Sequence, residues 1–320
     1  MNGRERTIRA VKMQNPDMVP VYYFNKDIEK SDIVSFPMGT ARSFSPKVHG
    51  ETEWGYVWET IDDTCGQPKE AVIKEWSDFA NYIPPNPYSE GRFDGIEEFI
   101  EKNKDKFKLV YIGITGFSLM TFLRGFEDTL LDFYINEEEI SAFADMVFGV
   151  EEEIMNQLCD YDIDAISFYD DWGTQNALMI NPELWRSFFK ERYKKQFDTI
   201  HKKGKFVYFH SCGNVIDIID DLIEIGADIL NFNQPGILGI DTLAERFGGR
   251  VCINAPVDIQ NVAINGTKEE IFDFTNQLMT KLGCYNGGFI GHLEEYHSIG
   301  LSDENYNYCA EALEEMRKKG

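Results

Sequence analysis

The chain has 320 residues, with 31 Lys+Arg against 55 Asp+Glu and a formal net charge of −24; 43% of it is hydrophobic and 27% charged. That length suits one large α/β domain or two average ones, and the composition excludes disorder over most of the chain. The acidic excess argues against a nucleic-acid binder, which needs a basic footprint, and against a densely anionic substrate unless a local basic pocket overrides the field.

Six cysteines (Cys65, Cys159, Cys212, Cys252, Cys284 and Cys309) are spread without a CxxC, as expected of reduced thiols in a cytosolic setting. The opening Met1-Asn2-Gly3-Arg4-Glu5-Arg6 has no apolar segment of the signal-peptide kind. No window reaches the roughly 18 to 20 apolar residues of a membrane span. A cytoplasmic protein with neither membrane nor nucleic-acid partner is expected.

In chain order, residues 1–107 are the less regular part. An aromatic, turn-rich stretch carries Trp54, Tyr56, Trp58 and Trp76, and Tyr82-Ile-Pro-Pro-Asn-Pro-Tyr88 cannot be helix or central strand. This part reads as an N-terminal extension over a barrel mouth, within a single domain 1–320; a small cap domain is the alternative. From residue 108 to 320, short β-rich runs alternate with helical patterns. The candidate strands are Leu109–Ile114, Ala165–Tyr169, Phe206–Phe209, Ile229–Phe232, Val251–Asn254 and Gly288–Ile290. Between them, Asn181-Pro182-Glu183 is a helix start that runs on to about His201. Ile216, Ile219, Leu222 and Ile223 share a helical face, with Gly226 as the stop. Asp164, Ile166 and Phe168 are echoed by Asp228, Leu230 and Phe232 at a constant offset of 64 residues, the length of two strand–helix units. The pattern predicts an α/β fold, a (β/α)8 TIM barrel. A doubly wound sheet is the alternative, though no GxGxxG follows a strand.

Barrel chemistry sits where strands end. In Phe206-Val-Tyr-Phe-His210-Ser-Cys212-Gly213, alternation puts His210 and Cys212 on one face, and imidazole and thiolate are preferred zinc ligands. The same spacing also fits a hydrogen-bonded strand-end His beside an inert buried Cys. Asp170 and Asp171 follow another strand and point to opposite sides, so at most one faces the barrel axis, as proton acceptor, substrate holder or partner of a metal-bound His; the other would cap a turn or helix. Asn231-Phe-Asn233-Gln234-Pro235 and Asn254-Ala-Pro-Val-Asp258 offer pocket amides or ordinary turn chemistry. His292, Glu294, Glu295 and His297 follow a glycine-flanked strand, either completing a metal site or lying in a solvated loop. The runs Glu137–Glu139 and Glu151–Glu153 read as exposed helix faces.

Taken together, Asp170-Asp171-Trp-Gly-Thr-Gln175, His210-Ser-Cys-Gly213, Ile223–Leu230 leading to Asn233-Gln234-Pro235, and the Gly287-Gly288 strand resemble the uroporphyrinogen decarboxylase superfamily. Arg4-Glu5-Arg6 and Pro16-Asp-Met-Val-Pro20 match its N-terminal pattern, so the resemblance covers most of the chain. It implies a barrel with the site at its C-terminal mouth. The true decarboxylases carry closely spaced arginines after the Pro-Val strand, whereas Val19–Ile28 here has none. The resemblance is closer to the branch of methyltransferases that work with corrinoid proteins and bind zinc through H-x-C and a distant Cys. His210 and Cys212 match the first two ligands; Glu295 stands at the place of the third, with His292 or His297 as substitutes.

The resemblance thus implies a methyltransferase exchanging a methyl group between a small donor or acceptor and the corrinoid of a partner protein. Zinc would be held at the mouth, and Asp170 or Asp171, Gln175, Asn233, Gln234 and Asn254 would orient the substrate. The alternatives are a metal-free decarboxylase or lyase and a non-catalytic ligand-binding barrel.

Overall fold

Eight parallel strands, taken in chain order, make one sheet in the computed structural model, which describes residues 1–60 and 66–318. They are β1 (Val21–Phe24), β2 (Ile33–Pro37), β3 (Phe107–Ile114), β4 (Ala165–Tyr169), β5 (Phe206–His210), β6 (Ile229–Asn231), β7 (Cys252–Pro256) and β8 (Phe289–Glu294). Each strand from β2 to β8 pairs with the next, and β8 pairs back onto β1. Helices run between the strands, the arrangement of a (β/α)8 barrel. Of the six cysteines, Cys65 lies outside the described residues.

The ring closes between β1 and β2 through a different set of bonds. Asp32 N–H donates to the Val21 carbonyl (2.9 Å), Val21 N–H donates to the Asp32 carboxylate (3.0 Å), and Tyr23 N–H donates to Ser31 Oγ (2.9 Å). Arg6 and Arg317, from opposite ends of the chain, both bind the buried Asp32 carboxylate. Arg6 belongs to the helix Gly3–Val11, whose residue Val11 packs against the lumen cluster. An aspartate recurs in this role. Asp164, just before β4, accepts from Lys108 N–H of β3 at 2.8 Å, and Asp228, just before β6, accepts from Val207 N–H of β5 at 2.8 Å. The internal echo is therefore a repeated device: one carboxylate satisfies the first free donor of the preceding strand.

Period-two alternation fills the lumen with Tyr22, Ile33, Leu109, Ala165, Tyr208, Ile229 and Ile290, while outward residues such as Ile166, Phe168 and Leu230 pack beneath the helices. The helix Lys190–Lys202 follows the expected Asn181 cap, whose side chain accepts from Glu183 N–H at 2.8 Å. Gly226, at φ 108°, ends the helix Ile219–Ile225 as expected.

Two barrel strands, β1 and β2, arise within the first 107 residues, so that part is integral to the barrel and not wholly irregular. Residues 38–60 and 66–95 are its less regular portion, holding only a short antiparallel pair, Trp58–Glu59 with Gln67–Pro68, and the one-turn helix Trp76–Phe79 among the described residues. Trp58 and Tyr56 each meet the Phe122 ring at 5.6 Å, Trp76 meets Phe143 at 6.1 Å, and Arg124 donates to the Ile73 carbonyl at 3.2 Å. These contacts bind the segment to the helices that follow β3, Gly116–Arg124 and Glu137–Leu158. No helix is long and apolar enough to cross a membrane among the described residues.

Candidate functional site

At the C-terminal end of β5, His210 Nε2 lies 3.4 Å from Cys212 Sγ and 3.5 Å from Asp171 Oδ1. These three residues form the group able to hold a metal ion among the described residues, their ligand atoms all within 4.8 Å of one another. Zinc bond lengths of about 2.0–2.3 Å to N, O and S put ligands in a tetrahedral site roughly 3.3–3.6 Å apart. The two distances from Nε2 meet that requirement, and three protein ligands leave a fourth position open. The donor set therefore fits zinc.

The imidazole is oriented by a chain of amides. His210 Nδ1 faces Asn231 Oδ1 at 2.6 Å; Asn231 Nδ2 donates to Asn254 Oδ1 at 2.9 Å; Asn254 Nδ2 donates to the Ile290 carbonyl at 3.0 Å. Tyr208 O–H also donates to Asn254 Oδ1, at 2.7 Å. Because both Asn231 and Asn254 spend their N–H groups elsewhere, Nδ1 must carry the hydrogen, and in the neutral ring the lone pair is then on Nε2, facing the cluster. Four strands thus fix one tautomer.

Backbone contact sets the cysteine. Gly173 N–H donates to the Cys212 carbonyl at 3.1 Å, and Asn214 N–H donates to the Thr174 carbonyl at 2.7 Å. The loops after β4 and β5 touch so closely that a Cβ on Gly213, at φ +80°, would fall 2.1 Å from the Gly173 carbonyl oxygen. Glycine is required there. Cys212 N–H in turn donates to Asp171 Oδ1 at 2.8 Å.

Asp170 goes the other way. It is fully buried, accepts from the backbone of Phe117 (3.0 Å) and Ser118 (2.8 Å), and receives the Tyr193 hydroxyl. It anchors the start of the helix Gly116–Arg124, and burial pushes its carboxyl up to about 7. Glu151, buried beside it, accepts from Gly116 N–H at 2.8 Å, and burial pushes it up to about 8. The run Glu151–Glu153 is thus not a uniformly exposed face: Glu151 is buried.

The expected third ligand is elsewhere. Glu295 binds His297 Nε2 at 3.0 Å and lies 3.6 Å from Lys26 Nζ, on the outer side of the loop. Alternation explains why: Ile290, His292 and Glu294 face the lumen, so Glu295 faces out. His292 is buried against Tyr22, ring centres 5.2 Å apart, with its Nε2 3.7 Å from the Glu294 carboxylate. Of the expected substrate residues, Asn254 lies in the amide chain and Gln234 accepts from Gly213 N–H at 2.8 Å. Asn233 Oδ1 is buried without a partner, and Gln175 is exposed. The mouth also holds Phe24, Tyr111, Tyr169 and Glu294, which line a cavity of about 230 Å³. No motif in the sequence marks these four as a group, although the period of two in β8 places Glu294 inside.

Residues 57–312 match the family of uroporphyrinogen decarboxylase (URO-D). The chain belongs to that family. The solved structure of a methyltransferase from Methanosarcina mazei is similar over 98% of this chain and 99% of that one, with a TM-score of 0.73 at 13% identity. A D-psicose 3-epimerase from Clostridium cellulolyticum H10 is a looser likeness, at TM-score 0.42 and 10% identity over 72% of this chain and 84% of that one. No curated protein matches the sequence. At 13% identity the methyltransferase structure shows a shared fold alone, and the chemistry must be read from this chain's own mouth.

Proposed function

We propose that this URO-D family member is a zinc-dependent methyltransferase that exchanges a methyl group between a small substrate and the corrinoid of a partner protein. The observation that carries the reading is the meeting of His210 Nε2 with Cys212 Sγ and Asp171 Oδ1. His210, Cys212 and Asp171 would hold the metal. Zinc bound there would supply Lewis acidity and lower the pKa of a thiol or hydroxyl at the open position. Asn231 accepts from Nδ1 and so leaves Nε2 as the ligating nitrogen of the neutral ring, and Cys212 N–H holds the Asp171 carboxylate in place. The full-length likeness to a methyltransferase supports the reading. Among the described residues, those that line this cavity and the metal group include Glu294 and Asp171 but no arginine, which disfavours a polycarboxylate porphyrinogen.

The test is metal content together with methyl transfer from free methylcobalamin to a small thiol such as 2-mercaptoethanol, in which the Co–C bond breaks, an S–C bond forms and reduced cobalamin is released, followed by its absorbance. About one zinc per chain is expected in the wild type, lost in His210→Ala and Cys212→Ser along with transfer. A metal-free wild type that transfers methyl groups as fast as the zinc-loaded protein would overturn the scheme.

A further inference from the structure

We propose that the barrel mouth is an aromatic cage for a small alkylated ammonium cation, so that the substrate carries a positively charged head. The proposal rests on the reading above for its place beside the metal ligands, and adds the class of molecule bound there.

Phe24, Tyr111 and Tyr169 wall the cavity of about 230 Å³, and Glu294 supplies its carboxylate. The Tyr111 and Tyr169 rings are 6.1 Å apart at 59°, so they are adjoining walls and not a stacked pair. The Tyr169 ring lies 4.8 Å from the His210 imidazole, which places the cage next to the metal-ligating group. The strand β3 bulges between Tyr111 and Ile114, and a Cβ on Gly113 would meet nothing within 4 Å, so the cavity stays open on that side.

A quaternary ammonium has no N–H to donate. It is held by aromatic rings and by a carboxylate, and this cavity is lined by three such rings and the Glu294 carboxylate. Glu294 is paired with no lysine or arginine among the described residues; its one ionic neighbour is His292 Nε2 at 3.7 Å. A neutral aromatic ligand would strip water from that carboxylate without replacing it, whereas a cation offsets the loss. An anion would meet Glu294, Asp171 and a chain of net charge −24, a field that draws cations in.

The experiment is titration calorimetry with choline and with its uncharged carbon isostere, neopentyl carbinol. Choline is expected to bind, and the isostere to bind at least about tenfold more weakly. Glu294→Gln should bring choline down to the level of the isostere. Tyr111→Leu should weaken choline about three- to tenfold, while Tyr111→Phe, which keeps the ring, retains it. Equal affinity for the two compounds, no choline binding, or a silent Glu294→Gln in a folded protein overturns the cage. The same titration on His210→Ala separates the two readings. Preserved discrimination in that variant, with a wild type that transfers no methyl group, leaves the cage standing and removes methyl transfer. Methyl transfer by a wild type that does not discriminate does the reverse.

Discussion

Asp170 and Asp171 are neighbours on the chain and belong to different worlds. The first, with Glu151, sits outside the barrel wall in a sealed pocket, where backbone amides, a tyrosine hydroxyl and a glutamine amide saturate the two carboxyls. The second is half exposed at the mouth, held by one amide and facing an imidazole and a sulfur. Burial raises the two carboxyls of the sealed pocket to about 7 and about 8. A perturbed carboxyl is often read as a functional one. Here full satisfaction of its oxygens marks a structural anchor, and the incompletely satisfied group marks the chemistry.

Exchanging one oxygen for NH2 at each position puts that contrast to the test. Asp171→Asn should weaken metal binding by at least about 10–100-fold, the loss typical of disturbing even a supporting residue of a metal site, and leave stability within about 0.5 kcal/mol. Asp170→Asn sets an amide donor against the donors of Phe117, Ser118 and Tyr193. It should cost about 2–3 kcal/mol in urea unfolding with metal content unchanged. A stable Asp170→Asn protein that has lost its metal would invert the assignment.

The sealed pocket should also show itself in pH dependence. Asp170 and Glu151 have their folded pKa raised by burial, so the folded state holds protons that the unfolded chain releases. Stability is then greatest below about pH 4 for these groups and falls as pH rises through about 7 and 8, by up to about 1.4 kcal/mol per pH unit for each. His201, raised chiefly by its hydrogen bond to Asp228, adds to the same fall. Urea midpoints between pH 5 and 9 should decline, and Glu151→Gln should flatten part of the decline. A rise over that range would mean that the pocket holds its carboxylates charged.

Most of the barrel was legible because strands from β3 onward are apolar runs bounded by turn residues, with well-marked helix starts such as Asn181-Pro182. The first two strands were not. Val21–Phe24 and Ile33–Pro37 are short, close together and linked without a crossover helix, and their seam depends on Ser31, Asp32, Arg6 and Arg317, partners brought together only in the folded chain. His210 and Cys212 could be placed on one face by alternation alone. The split between Asp170 and Asp171 was readable as two directions, but which one faced the mouth depended on Tyr193 and a helix start more than 50 residues upstream. Asn231 could be read as a pocket amide, yet its hold on His210 needs β6 beside β5.

The smallest effect is expected at Glu295, and it is the one that sharpens the reading of β8. Counting along the chain from Gly287 points to Glu295, whereas alternation within β8 points to Glu294. Glu295 is bound to His297 and Lys26; Glu295 and Lys26 are about one-third exposed and His297 half exposed. Exposed ion pairs contribute roughly 0–1 kcal/mol, so Glu295→Ala should shift stability by less than that and change metal content not at all. Equal zinc stoichiometry in wild type and Glu295→Ala would leave Asp171 as the oxygen ligand. Loss of zinc in this variant would require the loop after β8 to turn inward and bring Glu295 past Glu294, and the count along the chain would then outrank the alternation of the strand.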